Sequence, residues 1–337
     1  MGVASVGCGL IGPRRASEAA RHPRTTLTRL ADIEIRRAAA LARKFGCEAV
    51  AEWMRALDDP ASDIVVVATP NAYLVPIALA ALDRGKHVLI EKPPGRNLEE
   101  ARQLAQASAR TERCVVKIGF NHRYHPAIMR AQELYQNGVI GPIINIRGRY
   151  GHGGRLGYEH EWRSNPRLAG GGELTDQGIH LVDLLNWLAG MPQSAYCLMQ
   201  TAVWPIAPIE DNAFALLKYP NGVIASFHSS WTQWSNLFSL EIFGENGSLS
   251  VEGLTGNYGD PRLQIVIRKS AGGAPDVHEE RFDSADESWA AEWCEFISAI
   301  VDGRHYSGTP AEGLAAMTVA DALYRSVKSG CPVSITA

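Results

Sequence analysis

Lys92 is a candidate for chemistry because it directly follows a short apolar run and precedes a proline-rich turn. Residues 87–95 read HVLIEKPPG, and the apolar run predicts a buried strand that ends here. Pro93 cannot donate a backbone hydrogen bond, so it cannot continue the sheet. Open parallel sheets bind their ligands at the carboxyl ends of the strands, which is where this lysine is expected. A solvent-exposed lysine with no function is the alternative.

Asp176 and His180 are four residues apart in a predicted helix, so their side chains should share one face. Histidine can accept or donate a proton at neutral pH, so it suits a general base. Asp183 follows within the next turn, which leaves open a metal site formed by the three side chains. A buried structural histidine with a capping aspartate is the second alternative. The sequence has no HExxH motif, and we expect no metal.

A nucleotide-binding loop is indicated near the N-terminus by Gly7, Gly9 and Gly12, which form the pattern GxGxxG. The pattern alone is a weak signal, but here it follows an apolar strand and opens a helix. Glycine at these positions permits a sharp turn and lets a pyrophosphate approach the backbone at the helix N-terminus. A tight turn without a ligand is the alternative.

Asp32 lies 20 residues after Gly12, at the predicted end of the second strand. An acid at this position can accept hydrogen bonds from both hydroxyls of an adenosine ribose. Its charge would repel a 2′-phosphate, so we expect NAD rather than NADP as the cofactor. Arg36 and Arg37 follow closely and could weaken that preference.

The elements that must position these groups change in type near residue 120. Up to that point short apolar strands alternate with helices, which predicts a doubly wound parallel sheet of the Rossmann type. Beyond it, strand-like segments are joined at YPNGV and GENGS, where Asn-Gly pairs supply the positive φ of antiparallel hairpins. We therefore expect an α/β protein with an NAD-binding domain at 1–120 and a second domain at 121–337. The second domain should contain a large, mostly antiparallel open sheet, with a C-terminal helix able to pack back on the first domain.

The composition of the 337 residues suits a protein with two hydrophobic cores and a small-molecule ligand. Hydrophobic residues make up 46% and charged residues 20%, which is ordinary for a globular protein. The formal charge of −3 argues against nucleic acid or an anionic membrane surface as a partner. Six cysteines are spread without a CxxC pair, and no targeting or membrane-spanning segment is evident. We therefore expect reduced thiols and a cytoplasmic location.

The segment that precedes the glycine run at 170–172 is rich in groups that could hold a polyhydroxylated ligand. Aromatic rings can stack on a sugar ring while arginines bind its hydroxyls. The residues concerned are Arg155, Tyr158, Trp162 and Arg163, with Arg123 earlier in the chain. A solvent-exposed loop without a ligand is the alternative.

The hairpin strands of the second domain also predict self-association. They alternate apolar and polar residues, so one face of the sheet should be left without a covering helix layer. The large apolar residues on these strands are Phe214, Leu216, Phe227, Trp231, Leu240 and Phe243. We expect a homodimer or homotetramer formed face to face through this sheet, with each catalytic cleft between the two domains of its own chain.

Several of these segments together resemble one known family, the glucose-fructose oxidoreductase, inositol dehydrogenase and MocA-type oxidoreductases. The resemblance covers nearly the whole chain. It is carried by the glycine motif, by ATPNAYLVPIALAAL, by EKP at 91–93, by GFNHRYHPA from Gly119 and by GGGELTDQGIHLVDLLNWLAG from Gly170. It implies an NAD-binding domain, then an α/β domain whose open sheet carries the substrate site and the oligomer contacts, and catalysis without a metal.

Motifs and resemblance together define the expected site. The residues that match the family's catalytic positions are Lys92, Asp176 and His180. The expected NAD-binding residues are Gly7, Gly9, Leu10, Ile11, Gly12, Asp32, Thr69, Pro70, Asn71, Glu91, Lys92 and Asn121. The expected substrate-binding residues are Lys92, Arg123, Arg155, Tyr158, Trp162, Arg163, Asp176 and His180.

Each catalytic residue has an expected role. We assign His180 as the base. Asp176 would hydrogen-bond a substrate hydroxyl and steady the imidazole. Lys92 would donate a hydrogen bond to the reacting oxygen and stabilise its developing negative charge. The resemblance leaves open whether Lys92 or His180 carries the proton.

The expected function is an NAD-dependent dehydrogenase that oxidises, or reversibly reduces, a secondary ring hydroxyl. Its substrate would be a sugar, aminosugar, cyclitol or saccharide-containing metabolite, including those of nucleotide-sugar and aminoglycoside pathways. Its product would be a keto-sugar. A glycosidase that retains NAD and oxidises the sugar only transiently is the first alternative. A cofactor-binding regulator without turnover is the second.

Overall fold

The computed structural model describes residues 1–111, 113–282 and 285–335. The chain divides into two units. The first contains residues 1–120, 167–170 and 289–317, and the second contains residues 121–166, 171–288 and the segment from 318 onward. The part of the sequence after residue 120 is therefore shared between the two units.

Strands and helices are numbered in chain order. The strands are β1 (Gly2–Val6), β2 (Thr26–Ala31), β3 (Glu48–Val50), β4 (Ile64–Val67), β5 (His87–Glu91), β6 (Val116–Gly119), β7 (Ile143–Gly151), β8 (Ser194–Gln200), β9 (Asn212–Lys218), β10 (Ile224–Ser230), β11 (Leu237–Gly244), β12 (Gly247–Glu252), β13 (Arg262–Ile267), β14 (Asp276–Arg281) and β15 (Val333–Ser334). The helices are α1 (Gly12–Arg21), α2 (Ile35–Phe45), α3 (Trp53–Leu57), α4 (Asn71–Leu82), α5 (Leu98–Arg110), α6 (Pro126–Gln136), α7 (Pro166–Ala169), α8 (Ile179–Ala189), α9 (Ser288–Asp302) and α10 (Pro310–Ser329). A single π-helical turn, Leu174–Gly178, leads directly into α8.

The first unit is built on a parallel sheet with the strand order β3-β2-β1-β4-β5-β6. This order confirms the doubly wound Rossmann prediction, because the winding reverses direction between β1 and β4. All four residues of β4 are fully buried, as expected for a continuous apolar run in a parallel sheet that is covered on both faces. Trp293 and Phe296 of α9 pack into the same core as Leu30 of β2. A helix from the C-terminal part of the sequence thus completes the core of this unit.

The second unit contains a sheet with the strand order β14-β13-β12-β11-β7-β10-β9-β8-β15. The pairings are antiparallel except that β7 and β10 run parallel, so the prediction of a mostly antiparallel open sheet is confirmed. The turn at YPNGV joins β9 to β10 as predicted, with Gly222 at φ 89°.

The second Asn-Gly pair, at GENGS, has a different role from the one expected. Gly244 pairs with Gly247, so the loop consists of Glu245 and Asn246 and the glycine begins β12. A Cβ on Gly247 would lie 2.1 Å from the carbonyl oxygen of Val266 on β13. Glycine is therefore required here by the close approach of the next strand rather than by a positive φ.

One face of the second sheet exposes large apolar side chains. On β8, β9 and β10 the exposed large apolar residues are Leu198, Phe214, Leu216 and Ile224, at 46% to 60%. Three residues that we expected on this face are instead at most 4% exposed, namely Phe227, Trp231 and Leu240. Side chains alternate between the two faces of a strand, so β10 sends Phe227 to the face opposite Ile224. Phe243 is half-buried beneath the guanidinium of Arg147, at 4.7 Å.

The described residues include no helix that combines the length and the apolar character needed to cross a bilayer. All six cysteines are free thiols. Burial, followed by the charge of Asp32, raises the pKa of Cys8 to about 12, so this thiol stays protonated at neutral pH.

Candidate active site

The glycine loop of the first unit is shaped by two close backbone contacts. Gly7 has φ +96°, and a Cβ here would lie 2.3 Å from the carbonyl oxygen of Ala68. A Cβ on Gly12 would lie 1.9 Å from the carbonyl oxygen of Gly7. Around a Cβ placed on Gly9, by contrast, no heavy atom comes within 4 Å. The backbone is therefore open at Gly9, just before α1, where a pyrophosphate would approach the helix N-terminus.

Asp32 is held beside this loop by two backbone groups. One carboxylate oxygen accepts the N–H of Cys8 at 2.7 Å, and the other accepts the N–H of Glu34 at 2.8 Å. Each oxygen retains a lone pair for a further hydrogen bond, as a ribose diol requires. Leu10 and Ile33 are largely exposed on either side, which leaves apolar surface suited to a base. The geometry fits the adenosine half of NAD.

The turn after β4 contains three further residues expected at the cofactor. The Thr69 hydroxyl is buried and has no hydrogen-bond partner among the described residues, so it is available to a ligand. Pro70 precedes α4 as its N-cap. Asn71 begins that helix, and its side-chain amide donates to the carbonyl oxygen of Ala169 at 2.8 Å. Of the three, Thr69 is the one whose surroundings indicate a ligand contact.

Lys92 is half-buried at the end of β5, and its peptide bond to Pro93 is cis. The preceding Glu91 is buried and accepts a hydrogen bond from Arg15 of α1 at 2.6 Å. Arg15 also pairs with Glu292 of α9. The Glu91 carboxylate, expected at the cofactor, is thus engaged in an ion pair that joins the strand end carrying Lys92 to the helix after the glycine loop. Removing one partner of such a buried pair typically costs about 3–5 kcal/mol.

In the second unit, Asp176 lies in the π-helical turn rather than in a regular α-helix. Glu210, which lies just before β9, anchors this turn. Its carboxylate accepts hydrogen bonds from the N–H groups of Gly172 and Leu174, each at 3.1 Å. The Tyr324 hydroxyl donates to the same carboxylate at 2.7 Å. Burial raises the pKa of Glu210, an effect that these hydrogen bonds oppose. π-Helical turns are frequent at functional sites, which agrees with the role expected of Asp176.

Asp176 and Arg163 come together within the second unit, since the guanidinium donates to the carboxylate at 3.3 Å. The Arg163 guanidinium also lies 4.6 Å from the ring centre of Trp162, which is half-buried. Three of the expected substrate residues therefore form one cluster.

His180 is buried in the first turn of α8 and stacks against His122. The ring centroids are 3.7 Å apart, and the ring planes differ by 22°. Sequence reasoning included His122 in the motif GFNHRYHPA but gave it no role. The only available signal was a second histidine in a motif that adjoins the expected site.

Arg123, expected at the substrate, is instead buried in a bidentate ion pair with Asp183 of α8. The two donor–acceptor distances are 2.9 and 2.6 Å. This pair ties the turn Asn121–Tyr124 to α8, which carries His180. Asp183 is also the third ligand in the metal alternative, and its carboxylate is engaged by the arginine. Among the described residues, no group of three or more His, Cys, Asp or Glu side chains could hold a metal ion.

Tyr158 and Arg155 lie around an aromatic core cluster. Tyr158 is 1% exposed and packs at 4.7 Å from the ring of Trp231. Burial, followed by the charge of Asp176, raises the pKa of Tyr158 above its usual value, so the hydroxyl stays neutral. Arg155 is exposed, lies 5.1 Å from the Tyr158 ring and pairs with Glu161 at 2.5 Å. Tyr158 thus belongs to the core, while Arg155 remains at the surface.

Two family models match this chain. One, described as an oxidoreductase family with an NAD-binding Rossmann fold, matches residues 1–120. The other, described as a GFO/IDH/MocA C-terminal domain, matches residues 128–250. Together they cover most of the chain and parts of both units.

Individual relatives agree with these matches. A levoglucosan dehydrogenase of Pseudarthrobacter phenanthrenivorans is 28% identical over 63% of this chain and 61% of that protein, so the match spans less than two thirds of its length. An inositol 2-dehydrogenase of Rubrobacter xylanophilus is 25% identical over 99% of this chain and 92% of that protein. The solved structure of GenD2 from gentamicin A biosynthesis, in complex with NAD, is 27% identical and has a TM-score of 0.87. That match covers 100% of this chain and 97% of GenD2.

Proposed function

The chain belongs to the GFO/IDH/MocA oxidoreductase family, and we propose that it is a dehydrogenase that oxidises a secondary ring hydroxyl of a sugar or cyclitol to a ketone. Its cofactor is NAD, bound by the Rossmann domain of the first unit. The observation that carries the proposal is a buried histidine, His180, one turn after the anchored Asp176, in a chain with an open nucleotide-binding loop.

The proposed chemistry assigns one task to each of three side chains. The His180 imidazole accepts the hydroxyl proton, while NAD⁺, when bound, supplies the acceptor for the hydride. The Lys92 ammonium donates a hydrogen bond to the same oxygen and stabilises its developing negative charge. The Asp176 carboxylate, polarised by Arg163, accepts a hydrogen bond from a neighbouring hydroxyl of the substrate. No cysteine in this scheme acts as a nucleophile, so an aldehyde is not oxidised to an acid.

Support for the substrate class comes from the relatives. Their names concern an anhydrosugar, a cyclitol and an aminoglycoside pathway, which share a ring that bears several hydroxyls. We propose a substrate of this kind, including aminosugars and saccharide-containing metabolites. Identification of the keto product shows which hydroxyl is oxidised.

A panel of sugars and cyclitols that includes levoglucosan and myo-inositol tests the proposal. NADH formation at 340 nm and a keto product by mass spectrometry are the expected results. A carboxylic acid product would contradict the mechanism. Repeated turnover of an aryl glycoside without added NAD would instead identify an NAD-retaining glycosidase. Absence of turnover with every compound would refute the dehydrogenase proposal.

We expect the enzyme to prefer NAD to NADP, because the Asp32 carboxylate lies where a 2′-phosphate would be repelled. Replacing Asp32 with serine should lower the ratio of kcat/KM with NAD to kcat/KM with NADP by about tenfold or more, since the charge that opposes the 2′-phosphate is removed. Steady-state kinetics with both cofactors measure this ratio.

The exposed Asp83 supplies the control for this prediction. Asp83→Ser removes the same charge away from the loop and should leave the ratio unchanged. A wild-type enzyme that favours NADP would contradict the assignment of Asp32.

We propose that the protein is a homodimer or homotetramer that buries the apolar face of the second sheet. A monomer would leave Leu198, Phe214, Leu216 and Ile224 together in solvent, and contiguous apolar patches of this kind usually mark an interface. Burial of this face against a second copy removes apolar surface from water.

Replacing Leu216 with glutamate should shift the protein towards the monomer, because a charge would be buried at the centre of that face. Val301 on α9 is similarly exposed but does not lie on this sheet, so Val301→Glu is the control and should keep the wild-type mass. Light scattering at micromolar concentration measures both. A monomeric wild-type protein would refute the proposal.

A further inference from the structure

The second unit stacks two histidine rings that come from distant parts of the chain. His122 lies in the turn Asn121–Tyr124, and His180 lies at the start of α8. The two residues are 5% and 4% exposed, and their ring centroids are 3.7 Å apart. At this separation neither ring can turn about its Cβ–Cγ bond without meeting the other. The stack therefore fixes the plane of the imidazole that we propose as the base.

A chain of hydrogen bonds orients His122 in turn. The Asn121 amide nitrogen donates to the Ser288 hydroxyl at 3.2 Å, and that hydroxyl donates to Asp286 at 2.6 Å. The remaining amide oxygen of Asn121 lies 3.2 Å from Nδ1 of His122, so it accepts from an Nδ1–H group. A side-chain amide does not relay protons in the way a hydroxyl does. The chain thus holds the ring and its tautomer in place and is not a proton path.

The rings of Tyr150, Phe238 and His125 surround the stack. Tyr150 lies 5.1 Å from His122 and 6.2 Å from His180, and burial, followed by Tyr258, raises its pKa, so it is uncharged. Phe238 lies 5.9 Å from His122. His125 lies 5.5 Å away, and burial lowers its pKa against the opposing effect of Asp286. Charged groups nearby in the second unit include Asp286, at 3.9 Å from His125, the mutually paired Arg123 and Asp183, and the Glu173 and Asp176 carboxylates, whose charges act on Tyr150.

We propose that His122 is a positioning residue for His180, which it holds by stacking and whose protonated form it stabilises with its ring face. The proposal rests on the proposed function, in which the substrate's O–H bond breaks and its proton goes to a ring nitrogen of His180. The imidazolium so formed is a cation against the face of a neutral aromatic ring. Such contacts are favourable, most of all in buried sites. A second positive charge at 3.7 Å would oppose it, so His122 serves in its neutral form.

Three variants test the proposal in the oxidation of the panel compound that the wild-type enzyme turns over fastest. His122→Leu removes the ring and should lower kcat by about 10- to 30-fold, with KM within about twofold. His122→Phe keeps an aromatic face and should remain within about threefold of wild type. His125→Leu removes a nearby buried histidine that is not stacked on His180, and should leave kcat unchanged.

A double-mutant cycle separates positioning from a structural effect. In the His180→Asn background, adding His122→Leu should change kcat by less than about twofold, because no imidazolium forms. Equal losses in both backgrounds, or wild-type kcat in His122→Leu, would refute the proposal. If His122→Leu fails to bind NADH, His122→Phe becomes the test. A loss of kcat in His122→Phe as large as the loss in His180→Asn would then refute the proposal. Wild-type kcat in His180→Asn alone would refute this inference and the assignment of His180 as the base, but not the dehydrogenase function. A panel without turnover would refute the proposed function and this inference with it.

Discussion

Replacing Lys92 with methionine should lower kcat by about 100-fold or more while leaving NADH binding nearly unchanged. Methionine keeps much of the side-chain length but removes the charge and the three N–H donors. In the proposed reaction the ammonium donates to an oxygen that becomes negative as its proton leaves. That contact is stronger in the transition state than in the ground state, so kcat falls more than KM rises. Steady-state rates and NADH fluorescence titrations measure the two effects separately.

Lys86 provides the matched control for Lys92, because it lies just before the opposite end of β5. Its ammonium group donates to the carbonyl oxygens of Asp59, at 3.1 Å, and Ser62. Lys86→Met should leave these carbonyl groups short of a donor, and so lower the melting temperature with kcat close to wild type. Wild-type kcat in Lys92→Met would remove that lysine from the mechanism.

The nucleotide-binding loop could be predicted because its determinants lie close together in sequence. Gly7, Gly12 and Asp32 belong to one strand-helix-strand unit, and the hydrogen bond from Cys8 to Asp32 closes that unit. Spacing alone therefore predicts which groups meet. The Rossmann sheet is equally predictable, since each strand pairs in an order dictated by right-handed crossovers of similar length.

The second unit was harder to predict because its arrangement depends on partners far apart in sequence. Nothing local to IINIRGRYG indicates that β7 pairs in parallel with β10, where Asn145 lies opposite Ile224. The π-helical turn at Asp176 likewise depends on Glu210, which lies in another segment. A helical pattern in LTDQGIHLVDLLNWLAG predicts α8 but cannot predict the turn that begins it.

Arg123 and Tyr158 illustrate why a residue type alone does not identify a ligand contact. Both have chemistry suited to a sugar, yet Arg123 is buried against Asp183 and Tyr158 packs against Trp231. The burial of each side chain is decided by a partner more than 50 residues away. His122 is the opposite case, since only the fold brings it onto His180.

Replacing His180 with asparagine should lower kcat by about 100-fold or more, because the group that takes the hydroxyl proton is removed. Asparagine keeps a polar, planar group on α8, so NADH binding should stay near wild type. The residual rate should rise with pH, since the proton must then leave to water or hydroxide. His125→Asn, an equally buried histidine that the scheme does not use, is the control and should retain the wild-type pH profile. A His180→Asn enzyme with wild-type kcat would show that another group carries the proton, and Lys92 would then be tested in that role.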